Sequence, residues 1–154
     1  MKKAGHSLSE GGPNGLASIS PLASPEPARL AGQRLAAARR AIRNAEGPVV
    51  LVGHSWAGAV ITEAGNDEKV KSLVYVAAYA PDKGESVKSA TSKYPDPESL
   101  KTFVKDPDCY LTISEEGIKK YFAADLSPKE QAVVAATQGP FHVRNLTAPI
   151  SQAA

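Results

Sequence analysis

The run Gly53-His54-Ser55-Trp56-Ala57-Gly58 sets a serine between glycines, directly after an apolar stretch and directly before a helix-forming one. We read it as a turn of the Gly-x-Ser-x-Gly kind, with Gly53, His54 and Gly58 forming the turn and Ser55 at its tip. A hydroxyl is a weak nucleophile at neutral pH, so a serine that attacks an acyl carbon must be exposed, held still and set beside a base. A sharp strand-to-helix reversal meets the first two needs, because glycines remove Cβ atoms that would clash as the chain folds back. Ser55 is therefore the expected nucleophile. The amide of Trp56 opens the helix and is the expected donor to an oxyanion. The plainer alternative is a tight turn with an inert serine.

A base and an acid have to come from elsewhere in the chain. His54 adjoins Ser55, which turns its ring away, and it is expected to pack the elbow. His142 is the other candidate base, read against a cap histidine with no proton to move. Asp82 follows the second strand and could orient a histidine; beside Pro81 the favoured reading is a turn former. Glu63 is expected to face solvent, and Cys109 has no activating neighbour in its Pro-Asp loop.

The elements around the serine follow from pattern. Residues 1–27, rich in Gly, Ser and Pro, show no period and read as flexible. Ser24 as cap, Pro25 and Glu26 predict a helix start, and Ala31, Leu35, Ala38 and Ile42 form one stripe. Arg29, Arg34, Arg39, Arg40 and Arg43 lie largely off it and read as a solvated face, with Gly47-Pro48 as the stop. Val49-Val50-Leu51-Val52 predicts a strand buried on both faces of a parallel sheet. Trp56 to Ala64 predicts a helix ended by Gly65-Asn66, and Leu73 to Ala78 a second strand, making a right-handed βαβ unit. Beyond Ser86 we expect Pro-broken loops and helices without strands. Thr112 with Glu115 predicts a capping box opening a helix toward Ala124, and Ser127 with Glu130 another ending at Gln138.

Composition limits the partners. A net charge of +2 in 154 residues, without a basic patch interleaved with aromatics, excludes the usual nucleic-acid binder, so a small molecule is expected. One cysteine gives no disulfide framework, and a cytoplasmic setting is expected. No apolar run approaches the roughly 20 residues of a membrane helix, and no signal-peptide core follows the opening lysines. No metal or cofactor is implied.

Residues 47–66 and 73–86 resemble bacterial α/β-hydrolases, in a group similar to small esterases related to plant methylesterases and hydroxynitrile lyases; the resemblance extends over roughly residues 28–146. It implies an α/β fold with a parallel βαβ core and nucleophile elbow over 28–86, a helical cap over 87–146 and a tail at 147–154. It also implies a Ser-Asp-His triad, an early His-Gly oxyanion loop and small ester or amide substrates, or lyase chemistry on the same serine. The acid, the histidine and the His-Gly loop have no matching positions, since His6 and Gly11-Gly12 follow no strand-like run. The chain is therefore expected to be truncated at both ends, a partial fold with exposed sheet edges open to self-association. The competing expectation is a non-catalytic remnant that binds a small ligand or a partner chain.

Overall fold

The computed structural model describes residues 30–154. The expected flexible stretch 1–27, the cap at Ser24 to Glu26, Arg29 and the side chain of Ala31 lie outside the described residues. Helix α1 (Leu30–Asn44) leads into strand β1 (Val49–His54), helix α2 (Ala57–Ala64) and strand β2 (Val70–Val76). The two strands pair in parallel, Leu51 opposite Leu73 and Gly53 opposite Tyr75. The stripe on α1 is a core stripe: Ala38 and Ile42 are buried with Leu51, Val60, Ile61 and Ala64, while Leu35 and Trp56 pack against them. The Lys69 ammonium donates to the carbonyls of Arg43 and Ala45, both at 2.9 Å. A cation at a helix C-terminus satisfies carbonyls left without an intrahelical partner, so β2 is tied back to the end of α1.

Two strand expectations are corrected. β1 is not covered on both faces: Val50, Val52 and His54 are exposed while Leu51 and Gly53 are buried. Only the face of the β1–β2 ribbon toward α2 is covered among the described residues, so Val50, Val52, Val74 and Val76 stand open on the other. β2 runs from Val70 to Val76 instead of Leu73 to Ala78, because its register begins with Val70 opposite Val49 and Ala77 leaves it at φ +41°.

The second half is not purely helical. After helix α3 (Val87–Thr91) and a 3₁₀ turn (Glu98–Thr102), strands β3 (Phe103–Lys105) and β4 (Tyr110–Ile113) form an antiparallel hairpin, joined later by β5 (Phe141–His142). The Gln138 side chain extends this ladder, accepting from Ile113 N and donating to Ile113 O, each at 2.8 Å. Strands this short leave no period-two signature to read. Thr112 is not a helix cap: it pairs with Val104 inside β4, and Ser114 caps the short helix α4 (Glu115–Gly117) by accepting from Gly117 N. A π-helical turn (Ile118–Phe122) follows. The Ser127–Glu130 capping box forms as expected and opens helix α5 (Pro128–Thr137).

Helix α6 (Arg144–Thr147) leads to a final stretch that lies against the core. Ile150 is buried with Ala59 and Val87, Ala154 N donates to Thr62 O, and Glu63 accepts from both the amide and the hydroxyl of Ser151. Glu63 therefore does not simply face solvent; it holds the tail. Among the described residues no helix is long and apolar enough to cross a membrane.

Candidate active site

Ser55 sits between the last residue of β1 and the first turn of α2 at φ +53°. For a residue with a Cβ this left-handed conformation is uncommon and strained, and it is held only where the surroundings impose it. The surroundings are backbone: Ser55 N donates to Val76 O at 3.3 Å, and the Ser55 carbonyl accepts from Gly58 N and Tyr79 N, both at 3.1 Å. The serine is thus clamped between its own helix and the end of β2, with its side chain half-exposed.

The glycines explain how closely the chain folds. A Cβ on Gly53 would meet Ala57 O and Ile61 Cδ1 at 2.9 Å, and one on Gly58 would lie far inside contact with Tyr79 O. Ala57 stands two places after Ser55, where the simple Gly-x-Ser-x-Gly pattern expects glycine, and the glycine is displaced to Gly58. The displaced position is the one that needs it, because Gly58 is where α2 touches the Ala78-Tyr79 backbone. One turn further on, Thr62 donates to Gly58 O at 2.8 Å. Its proton being committed there, the Tyr75 hydroxyl donates to Thr62 Oγ1 at 2.7 Å.

Trp56 takes helical angles at the N-cap of α2 and offers no side-chain cap. Its amide has no acceptor among the described residues. Its indole Nε1–H donates to Asn145 O at 2.7 Å, and its ring meets Phe141 edge-on at 5.5 Å. The Arg34 guanidinium lies 5.9 Å from the centre of the same ring. Arg34 thereby leaves the solvated face expected for it, while Arg39, Arg40 and Arg43 remain exposed. Its Nε is buried without a partner among the described residues, and desolvation pulls its pKa below the ordinary arginine value. Position on the helical wheel put Arg34 off the apolar stripe; it did not show that the indole would lie beside it.

The other candidates do not assemble around the serine. His54 is exposed, so it does not pack the elbow: its side chain is on the open face of β1. His142 is buried, edge-on to Tyr110 at 4.9 Å, and its Nδ1 accepts from Arg144 N at 3.0 Å. An imidazole whose Nδ1 accepts carries its proton on Nε2, so the free nitrogen is a donor and cannot take a proton. A base in a serine triad is held in the opposite tautomer, by donating from Nδ1 to a carboxylate. Asp82 is exposed, with Glu85 Oε2 accepting from its amide at 2.8 Å and its carbonyl accepting from Glu85 N at 2.9 Å. It forms a turn, and no histidine bonds to it among the described residues. Cys109 takes φ +66° in the β3–β4 turn. No group of three or more potential metal ligands is found among the described residues.

A parallel strand–elbow–helix–strand unit with a strained serine at its tip defines the class of α/β-hydrolase folds. The chain belongs to the alpha/beta hydrolase family, whose model matches residues 4–153. It is similar to a carbendazim hydrolyzing esterase of Nocardioides sp. (strain SG-4G), 40% identical over 58 residues that make up 36% of this chain and 24% of that protein. In fold it resembles a pyrethroid hydrolase from Sphingobium faniae JZ-2, with TM-score 0.63 and 18% identity over 80% of this chain and 53% of the other. A second pyrethroid hydrolase structure gives TM-score 0.56 and 19% identity over 82% and 51%. The chain therefore spans about half the length of these solved structures, and the aligned stretch about a quarter of the curated relative.

Proposed function

We propose that the protein acts as a serine hydrolase on small esters or related acyl compounds, through an acyl-enzyme on Ser55. The observation that carries this reading is the positive φ of Ser55, at a turn where both neighbouring elements are pressed too close for side chains at Gly53 and Gly58. Strain of that kind, at the C-terminal end of a parallel strand, gathers where a side chain must be held out for chemistry. Ser55 Oγ would attack the acyl carbon as a base takes its proton, and the carbonyl oxygen would accept a hydrogen bond from the Trp56 N–H as it becomes an oxyanion. Collapse would expel the alkoxide, which receives that proton and leaves as the alcohol, and water would then hydrolyse the acyl-enzyme to the acid. The names of the similar proteins, an esterase and pyrethroid hydrolases, support an ester-like substrate. The hydroxyl proton needs a base, and among the described residues His142 does not qualify.

The test is labelling with a fluorophosphonate, the adduct being located by peptide mass. The reading expects saturable labelling at Ser55 that is lost in Ser55→Ala. A folded sample with no adduct at Ser55 would remove the nucleophile.

A second reading is supported by the open valines of β1 and β2 and by the tautomer of His142: a non-catalytic chain that binds a small ligand or a partner. It expects no labelling together with concentration-dependent sedimentation.

A further inference from the structure

Trp56 is the chain's single tryptophan, and three elements distant in sequence converge on its indole. Asn145 of α6 accepts its Nε1–H, Phe141 of β5 meets its ring edge-on, and Arg34 of α1 lies over it. It packs against both hydrophobic clusters, the one built on Ala38, Ile42 and Ile61 and the one built on Ala59, Val87 and Ile150. The same residue begins the turn that follows the strained serine, and no side chain caps α2 there. The Ser55 carbonyl, in the same planar peptide unit as the Trp56 N–H, is held by Gly58 N and Tyr79 N, and the indole bond adds a tie from this unit to the 141–147 stretch.

We propose that the Trp56 indole is a positioning group. By latching the residue after Ser55 to the 141–147 stretch, it reinforces the backbone bonds that set the direction of the Trp56 amide and makes order in that stretch and order in the elbow one cooperative unit. The consequence for acyl transfer rests on the reading of Ser55 as nucleophile; the latch does not. Phe in place of Trp56 keeps a ring against Phe141 and removes the bond to Asn145 O.

Hydrogen exchange on the full chain tests the latch. In Trp56→Phe, amides 55–58 and amides 141–147 should both exchange roughly tenfold faster, while strand Phe103–Lys105, which does not pair with β5, is unchanged. In Phe141→Leu, which leaves the elbow sequence intact, the same two groups should accelerate together and the emission of Trp56 should move to longer wavelength. Acceleration spread evenly over the chain, or confined to one of the two groups, would overturn the proposal. Fluorophosphonate kinetics test the consequence: Trp56→Phe should lower the maximal labelling rate by roughly tenfold and leave the half-saturating probe concentration in place. A loss carried by the half-saturating concentration alone overturns the positioning role. Absence of labelling in the unsubstituted chain removes the nucleophile reading and leaves the exchange experiment to decide the latch.

Discussion

The Tyr79 amide donates to the Ser55 carbonyl at 3.1 Å, joining the residue at the tip of the elbow to the loop that leaves β2. Together with Ser55 N on Val76 O, this makes the turn a contact between two parallel strands' ends, closed from both sides, instead of a local hairpin of chain. It follows that the elbow's geometry depends on residues some twenty positions away, and that substitutions in it can be sorted by which side they disturb.

Ser55→Gly should raise stability. Glycine adopts φ +53° without a steric cost, so relief of the strain should stabilise the fold by about 0.5–1 kcal/mol, read as a higher denaturant midpoint with an unchanged slope. Ser55→Ala keeps the Cβ and should leave the midpoint close to that of the parent. An equal midpoint for both variants would show that the turn is not strained.

Gly58→Ala should destabilise strongly, because the new methyl meets backbone at Tyr79 and neither element can yield without breaking the Ser55–Tyr79 bond. Overpacking of this sort costs about 1–3 kcal/mol. Gly32→Ala is the contrast: its Cβ would meet nothing within 4 Å, and in a helix the change should stabilise by about 1 kcal/mol. Thermal unfolding of the two variants should move in opposite directions.

Ile42→Ala should cost about 2–5 kcal/mol, since Ile42 is 1% exposed and its neighbours Ala38 and Ala64 are too small to fill the space it leaves. Chemical denaturation measures the loss. A cost under about 1 kcal/mol would mean that α1 does not hold the βαβ unit together.

The cap of α5 should respond to acid. Hydrogen bonds from the Ser127 hydroxyl and amide hold the Glu130 carboxyl below its ordinary value. A carboxyl with a depressed folded-state pKa adds stability above its unfolded value, near pH 4, and gives it up as pH falls through the lower folded value. Amide protection in helix Pro128–Thr137, with the intrinsic pH dependence of exchange divided out, should therefore fall below about pH 4 in the parent and lose this step in Glu130→Gln.

Much of the site-bearing half was legible because its signals are local. The α1 stripe, the strand before Ser55, the helix after it and the Ser127–Glu130 box all rest on residues within a few positions of each other. The β3–β4–β5 sheet was not, since strands of three, four and two residues pair across distances no short window spans. The same limit hid the partners of the indole: nothing near Trp56 announces Arg34, Phe141 or Asn145. The His142 tautomer was out of reach for a different reason, being set by one backbone amide two residues on, Arg144, whose direction only the fold decides.

The bond from Trp56 to Asn145 spans 89 positions, whereas the strand pairing begins with Val49 opposite Val70, a separation of 70 minus 49, or 21. Closing the longer loop costs about 1 kcal/mol more in chain entropy by the logarithm of that ratio. Pairing of β1 with β2 therefore precedes the latch as the chain collapses. A refolding molecule should pass through a stage in which β1 and β2 are already paired while the elbow and the tryptophan in it are still unordered, visible as a late blue shift in emission after the first backbone signal has appeared.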